Sequence, residues 1–300
     1  MFLVATLISN PTTPVVDDHV IKRASSALAH TEQAAWLEPG IAVDIPFSAH
    51  QSESRASTER IRETLAQAPI DVVVHPVTGR RKKLLLTDMD STMIGQECID
   101  ELADYAGVKR EVAAITERAM RGEVEFESAL RERVALLKGL PVSVVAEVIR
   151  SRIRVNPGAL TLVATMRRHG AYACLVTGGF TLFTDRIAGM LGFDESRANT
   201  LMVNGDGLLT GEVAKPIFAR DGKLATLKEL TLRLNLRPDE TLVAGDGAND
   251  LDMIAAAGLG MAYHAKPKVA QAAAARIDHG DLTALLYAQG YRGEEFVSTG

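Results

Sequence analysis

Cysteine is almost missing from this 300-residue chain, which has only Cys98 and Cys174. Two thiols cannot form a disulfide framework or a thiolate metal site, and both are expected to be reduced. Neither serves a cysteine phosphatase loop of the form C-x5-R, because the residues six positions on are Asp104 and Phe180. No uncharged apolar run reaches the ~18 residues that span a bilayer. The apolar opening MFLVATLIS has no basic leader and soon meets Pro11, so it reads as a strand rather than a signal peptide, and a cytoplasmic protein is expected. A basic excess is lacking too. With 33 basic against 38 acidic side chains the net charge is −5, which disfavours a sequence-independent nucleic-acid binder and points to a small substrate. The seven histidines contain no H-x-x-x-H pair, which argues against zinc catalysis. No G-x-x-x-x-G-K-[ST] loop occurs, and GDGAND has Asp250 where a dinucleotide fingerprint needs its third glycine.

The composition, 47% apolar and 24% charged, is that of a soluble globular protein, and at this length about two domains are expected. Residues 1–79 read as strand, helix (15–29), strand, strand, helix (52–66), strand. That βαββαβ order is ferredoxin-like. TGRRKK then supplies a polar, basic junction, and a domain boundary is expected near Arg80. From Lys83 onward the short continuous apolar runs LLLTD, AYACLVT and TLVAGD read as parallel strands buried on both faces, so this part is α/β with helices on a Rossmann-like parallel sheet. Between the first two runs, about 95–156, lies a stretch with helical periodicity and no strand candidate. It is flanked by Gly95 and by Asn156-Pro157-Gly158, and reads as a helical cap hinged at both ends and able to close over a site. LMVNGDGLLTGEV is expected to be a β-hairpin.

The polar residues that end the apolar runs carry the chemistry, because open α/β sheets bind ligands beyond the carboxyl ends of their strands. LLLTDMDST places Asp88 and Asp90 two apart, on one side if the strand continues through them. LVTGGF supplies the hydroxyl of Thr177 followed by Gly178 and Gly179, which allow a close backbone approach to a ligand. VAGDGANDLDM supplies Asp246 and Asp250. One such aspartate alone would be an ordinary turn or cap residue. Several carboxylates converging with no basic residue in the same motifs would repel one another, and a hard divalent cation, Mg2+, is the usual remedy.

In this order DMDST, VTGGF, the lysine of DGKLATL and GDGANDLDM resemble the four motifs of the haloacid dehalogenase superfamily, in its phosphoserine phosphatase branch, over about residues 83–281. The resemblance implies a Mg2+-dependent phosphatase acting on O-phospho-L-serine in serine biosynthesis. Asp88 would be the nucleophile and form an aspartyl-phosphate, already ionised at neutral pH and needing no activating base. Asp90 would protonate the leaving alkoxide and then activate water. Asp88, the Asp90 backbone carbonyl and Asp246 would hold Mg2+, supported by Asp250. Thr177, Gly178, Gly179, Lys223 and Asn249 would surround the phosphoryl group. Glu97 resembles the family's glutamate for the substrate ammonium. Phe126 and Arg133 in VEFESALRERV, two helical turns apart, share a face. Arg133 would bind the substrate carboxylate, with Phe126 and Met120 closing the pocket.

Three alternatives stay open. A phosphotransferase would pass the same phosphoryl group to an alcohol such as homoserine. A regulatory amino-acid sensor would use an inert catalytic half. Residues 1–79 resemble an ACT domain, a fold that commonly binds amino acids; because their first loop, SNPTTPV, lacks the glycine common in effector sites, packing or homodimerisation is expected ahead of effector binding.

Overall fold

The computed structural model describes residues 2–66, 68–121 and 123–298. Its elements in chain order begin with β1 (Phe2–Ser9), α1 (Asp18–Ser26), β2 (Ala35–Glu38), β3 (Ala42–Ser48), α2 (Ser54–Leu65) and β4 (Ile70–Pro76). These strands form an antiparallel sheet of order β2-β3-β1-β4, the ferredoxin-like arrangement read from the sequence. One face is apolar by strand alternation: Leu3, Ala5 and Leu7 of β1 meet Val43, Ile45 and Phe47 of β3, covered by Val20 and Ala24 of α1 and Ile61 and Leu65 of α2. Each large aliphatic side chain buried there contributes about 1.5–3 kcal/mol. α1 starts where Asp17 caps it, its carboxylate accepting from the Val20 N–H at 2.8 Å.

The second face of β1, Val4, Thr6 and Ile8, is buried as well. Thr6 donates to Asp44 at 2.8 Å, and the guanidinium of Arg80 forms an ion pair with Asp44, so the charge placed in this sheet is compensated. Asp71 of β4, also buried, accepts backbone N–H groups of Asp278, His279 and Gly280. Residues 1–86 thus belong to one compact unit with 156–173 and 227–300, while 87–155 and 174–226 form the other.

The chain continues with β5 (Leu84–Thr87), α3 (Cys98–Tyr105), α4 (Lys109–Met120), α5 (Phe126–Ala135), α6 (Ser143–Ser151), α7 (Ala159–Arg168), β6 (Tyr172–Phe180), α8 (Thr181–Leu191) and β7 (Glu195–Asn199). Then come β8 (Leu201–Val203), β9 (Leu209–Val213), α9 (Arg220–Arg233), β10 (Thr241–Gly245), α10 (Leu251–Ala256), β11 (Leu259–Tyr263), α11 (Pro267–Ala272), β12 (Ala275–Ile277) and α12 (Ala284–Ala288). Six strands form a sheet of order β12-β11-β10-β5-β6-β7, with β12, β11 and β10 parallel to one another and β7 parallel to β6. β5 and β10 are buried along their whole length, as continuous apolar strands under helices on both faces must be.

Helices α3 to α6 are the regular elements between Gly95 and Val155 among the described residues, and the two ends of this segment meet: Ile94 bridges Val155, and the Gly95 N–H donates to Arg154 O at 3.0 Å. β8 and β9 pair as an antiparallel hairpin. Its turn is longer than a two-residue Asn-Gly turn, and Asn204 Oδ1 closes it by accepting from the N–H groups of Asp206 and Leu208, both at 3.0 Å. The hairpin braces the α5–α6 connection through Gly139 N–H to Leu209 O and Val142 N–H to Gly207 O. No helix among the described residues is long and apolar enough to cross a membrane.

Candidate active site

β5 stops at Thr87, so Asp88 and Asp90 are not brought to one side by strand alternation. The chain instead folds into a tight turn in which the carbonyl of Met89 accepts from the N–H groups of Thr92, Met93 and Ile94, with Ser91 at φ +58°. Asp88 Oδ1 accepts the Met89 N–H at 2.8 Å and lies 2.7 Å from Lys223 Nζ. Lys223, on α9, is fully buried rather than solvated at a helix start. An ammonium in that position offsets the charge of the Asp88 carboxylate and attracts further anionic charge.

Asp90, also buried, accepts from the thiol and the backbone N–H of Cys98, the residue that opens α3. Its Oδ1 has no hydrogen-bond partner among the described residues. Burial first, and the neighbouring Glu97 carboxylate second, push its pKa up to about 7, against the opposing pull of Cys98 and Lys223. Burial and Asp90 in turn push the Cys98 thiol upward, so it remains a protonated donor. A carboxyl group near neutrality with one unoccupied oxygen is suited to exchange a proton with a ligand.

Two glycines of β6 admit this arrangement. A side chain at Gly179 would begin 3.2 Å from both Asp90 Oδ2 and Thr177 Oγ1, and the Gly179 N–H already donates to Thr177 Oγ1 at 2.9 Å. A side chain at Gly178 would begin 3.3 Å from the ring of Phe126, the first residue of α5. Thr177, Gly178, Gly179, Asp90 and Phe126 are therefore close together.

Glu97 is the N-cap of α3 rather than a residue within it, and its Oε1 accepts from Ser91 Oγ at 2.7 Å. Arg133 is half-buried on α5, donating through Nε to Ala129 O at 3.3 Å and through a terminal nitrogen to Thr116 Oγ1 at 3.4 Å. Burial lowers its pKa, and the carboxylates of Asp100 and Glu97 counter that shift, which puts the three charges in one electrostatic neighbourhood. Met120 closes α4, but its side chain lies outside the described residues.

Beyond β10, Asp250 is fully buried and its Oδ2 accepts the Gly247 N–H at 3.0 Å. Gly245 is required there because a Cβ would come within 2.5 Å of the Asp250 carboxyl. Asn249, half-buried, turns its side-chain oxygen toward Gly247. Asp246 and Asp250 are both buried beyond β10, and Asp88 is buried beyond β5. Buried anionic oxygen donors of this kind suit a hard divalent cation of the Mg2+ type.

Three neighbours of the site were not singled out by their motifs. Ser91 and Cys98 contact Glu97 and Asp90, and Asn199 hydrogen-bonds the carbonyl of Gly178 at 2.9 Å. Ser91 lies within the DST motif, whereas ESRAN is a polar stretch without the apolar content that marks a strand.

Residues 85–255 match the family model of haloacid dehalogenase-like hydrolases. A phosphoserine phosphatase of Polaromonas sp. is 51% identical over 209 residues, 68% of this chain and 88% of the relative. Among solved structures, a probable phosphoserine phosphatase from Vibrio cholerae, in unliganded form, superimposes with a TM-score of 0.77 at 30% identity, covering 98% of this chain and 88% of that one. A phospho-aspartyl intermediate analogue of a phosphoserine phosphatase gives 0.64 at 39% identity, covering 69% of this chain and 98% of that one.

Proposed function

The chain belongs to the haloacid dehalogenase-like hydrolases, and from that membership and its site we propose that it hydrolyses O-phospho-L-serine to serine and phosphate through an aspartyl-phosphate on Asp88, with Mg2+ as cofactor. The observation that carries this reading is the buried Asp88 carboxylate, held by Lys223. Residues 80–94 and 157–300 are the catalytic core in this reading, about 95–156 the cap, and 1–79 an ACT-like accessory module.

Asp88 attacks phosphorus while Lys223 holds negative charge beside it. Asp88, the Asp90 carbonyl and Asp246 would hold the metal ion with Asp250 behind them; when bound, it neutralises charge on the transferring phosphoryl oxygens. Thr177 Oγ and the backbone N–H groups of Gly178 and Gly179, with Asn249, orient those oxygens. Asp90, poised near pH 7, gives its proton to the departing serine oxygen and takes one from the water that opens the aspartyl-phosphate. Glu97 and Arg133 offer opposite charges to the ammonium and carboxylate of the amino acid, and Phe126 covers the phosphoryl end.

The direct test is phosphate release from O-phosphoserine with no alcohol acceptor present. Release that stops with EDTA and returns with excess Mg2+ supports the reading; EDTA-insensitive release removes the metal from it, and no release without an added alcohol means phosphotransfer instead. A second expected outcome concerns the substrate. Arg133→Ala should lower kcat/KM for phosphoserine by about 30-fold or more, the cost of losing a charge-assisted hydrogen bond, while changing turnover of phosphoethanolamine, which has no carboxylate, less than threefold. Equal losses on both esters would show that Arg133 does not bind the carboxylate.

A further inference from the structure

Asn199 ends β7, where it pairs with Phe180 of β6, and is 2% exposed. Its amide is fully used. One Nδ2 hydrogen goes to Gly178 O at 2.9 Å, the other to Phe218 O at 2.8 Å, and Oδ1 accepts the Phe218 N–H at 2.7 Å. Two carbonyls and one N–H in that arrangement are met by a carboxamide and by neither a carboxylate nor an apolar side chain of the same size. Phe218 in turn packs on Gly222, where a Cβ would come 2.8 Å from the ring, and Lys223 follows directly, its own N–H donating to Ala219 O at 3.2 Å. One buried side chain thus joins the end of β6 that carries Thr177, Gly178 and Gly179 to the start of the helix that carries Lys223.

We propose that Asn199 is a positioning residue that fixes the spacing between the Gly178 end of β6 and Lys223, so that both reach the same phosphoryl group. This rests on the functional reading above, in which those groups bind phosphoryl oxygens. Neither end is anchored this way by its own element: β6 leaves its ladder with β7 in a shifted register at this point, and Phe218 precedes the first residue of α9. A drift of about 1 Å between groups that must act together costs on the order of 100-fold in rate.

The test is steady-state kinetics of Asn199→Asp, which keeps size and acceptor but loses both donors, and of Gly222→Ala, which displaces Phe218 without touching Asn199. Each is measured beside the wild type, with inhibition by orthovanadate as a mimic of the transferring phosphoryl group. Expected are a fall in kcat of about 30-fold or more per folded molecule, KM within threefold, and vanadate inhibition weakened in step with kcat/KM. A purely structural role would lower thermal stability and the active fraction while leaving kcat and vanadate affinity of the folded molecules unchanged. That result overturns the proposal. If Asn199→Asp does not fold, Gly222→Ala decides by the same criteria. A wild type that releases no phosphate from phosphoserine refutes the functional reading instead, whereas an active wild type with unaltered variants refutes only the role of Asn199.

Discussion

Asp88→Asn abolishes turnover, lowering phosphate release from phosphoserine by on the order of 10⁴-fold or more, the scale on which removal of a covalent nucleophile is felt. The substitution is nearly isosteric, and the amide oxygen can still accept the Met89 N–H that Asp88 Oδ1 accepts at 2.8 Å. What is lost is the negative charge and the second carboxylate oxygen, and with them the nucleophilicity toward phosphorus. In the proposed mechanism Asp88 is also one of the metal's ligands, so metal affinity should fall as well. The two effects are separated by raising Mg2+ until activity no longer responds. Lost affinity is then restored and lost nucleophilicity is not. In the wild type, acid-quenched protein incubated with substrate should carry a hydroxylamine-sensitive phosphoryl group, absent in the variant. Residual activity above a few per cent at saturating Mg2+, or a labelled residue other than Asp88, would refute the assignment of the nucleophile.

Asp90→Asn should have opposite effects on turnover and on stability. As general acid and base, Asp90 is expected to supply about 10²–10⁴-fold, and its amide cannot transfer the proton. The loss should be large for phosphoserine, whose alkoxide needs a proton, and small for the initial burst of nitrophenol from p-nitrophenyl phosphate, whose leaving group does not. Stability should move the other way. Burial raises the Asp90 pKa from 3.8 to about 7, so the folded state holds the proton more tightly than the unfolded state. Ionising this group therefore costs folding stability: nothing below pH 4, increasingly as pH rises through the window between the two values, and fully above pH 7. A neutral asparagine escapes that cost. Metal-free Asp90→Asn protein should melt about 3 °C or more above the wild type at pH 8, with the gap closing as pH falls toward 4. Equal melting temperatures at pH 8 would mean that the buried carboxyl is not strained, and an undiminished rate on phosphoserine would remove it from the proton-transfer role.

Much of the fold was legible because burial leaves its mark on residue order. The continuous runs LLLT and TLVAG are the fully buried β5 and β10, and alternation in FLVATLIS marks the face of β1 that meets α1 and α2. The other face of β1 reads as polar or ambiguous, and only the structure shows Thr6 and Asp44 buried with Arg80. β7, ESRAN, was invisible to the same reasoning, since an edge strand needs apolar side chains on neither face. Apolar periodicity overruns helix ends: α1 starts at its Asp17 cap and not at Val15. The notion that Asp88 and Asp90 share a side through strand alternation fails for a local reason, the turn around the Met89 carbonyl.

The sequence by itself determined the class of chemistry. Acidic residues, a hydroxyl and glycines at the ends of apolar runs can be read without coordinates, because strand ends and residue types are local properties. Only the tertiary structure decided the protonation of Asp90, the full burial of Lys223 against Asp88, and the role of a polar asparagine from an unremarkable stretch. Each of these depends on which groups far apart in the chain exclude water from one another, and desolvation and hydrogen bonding act between neighbours in space.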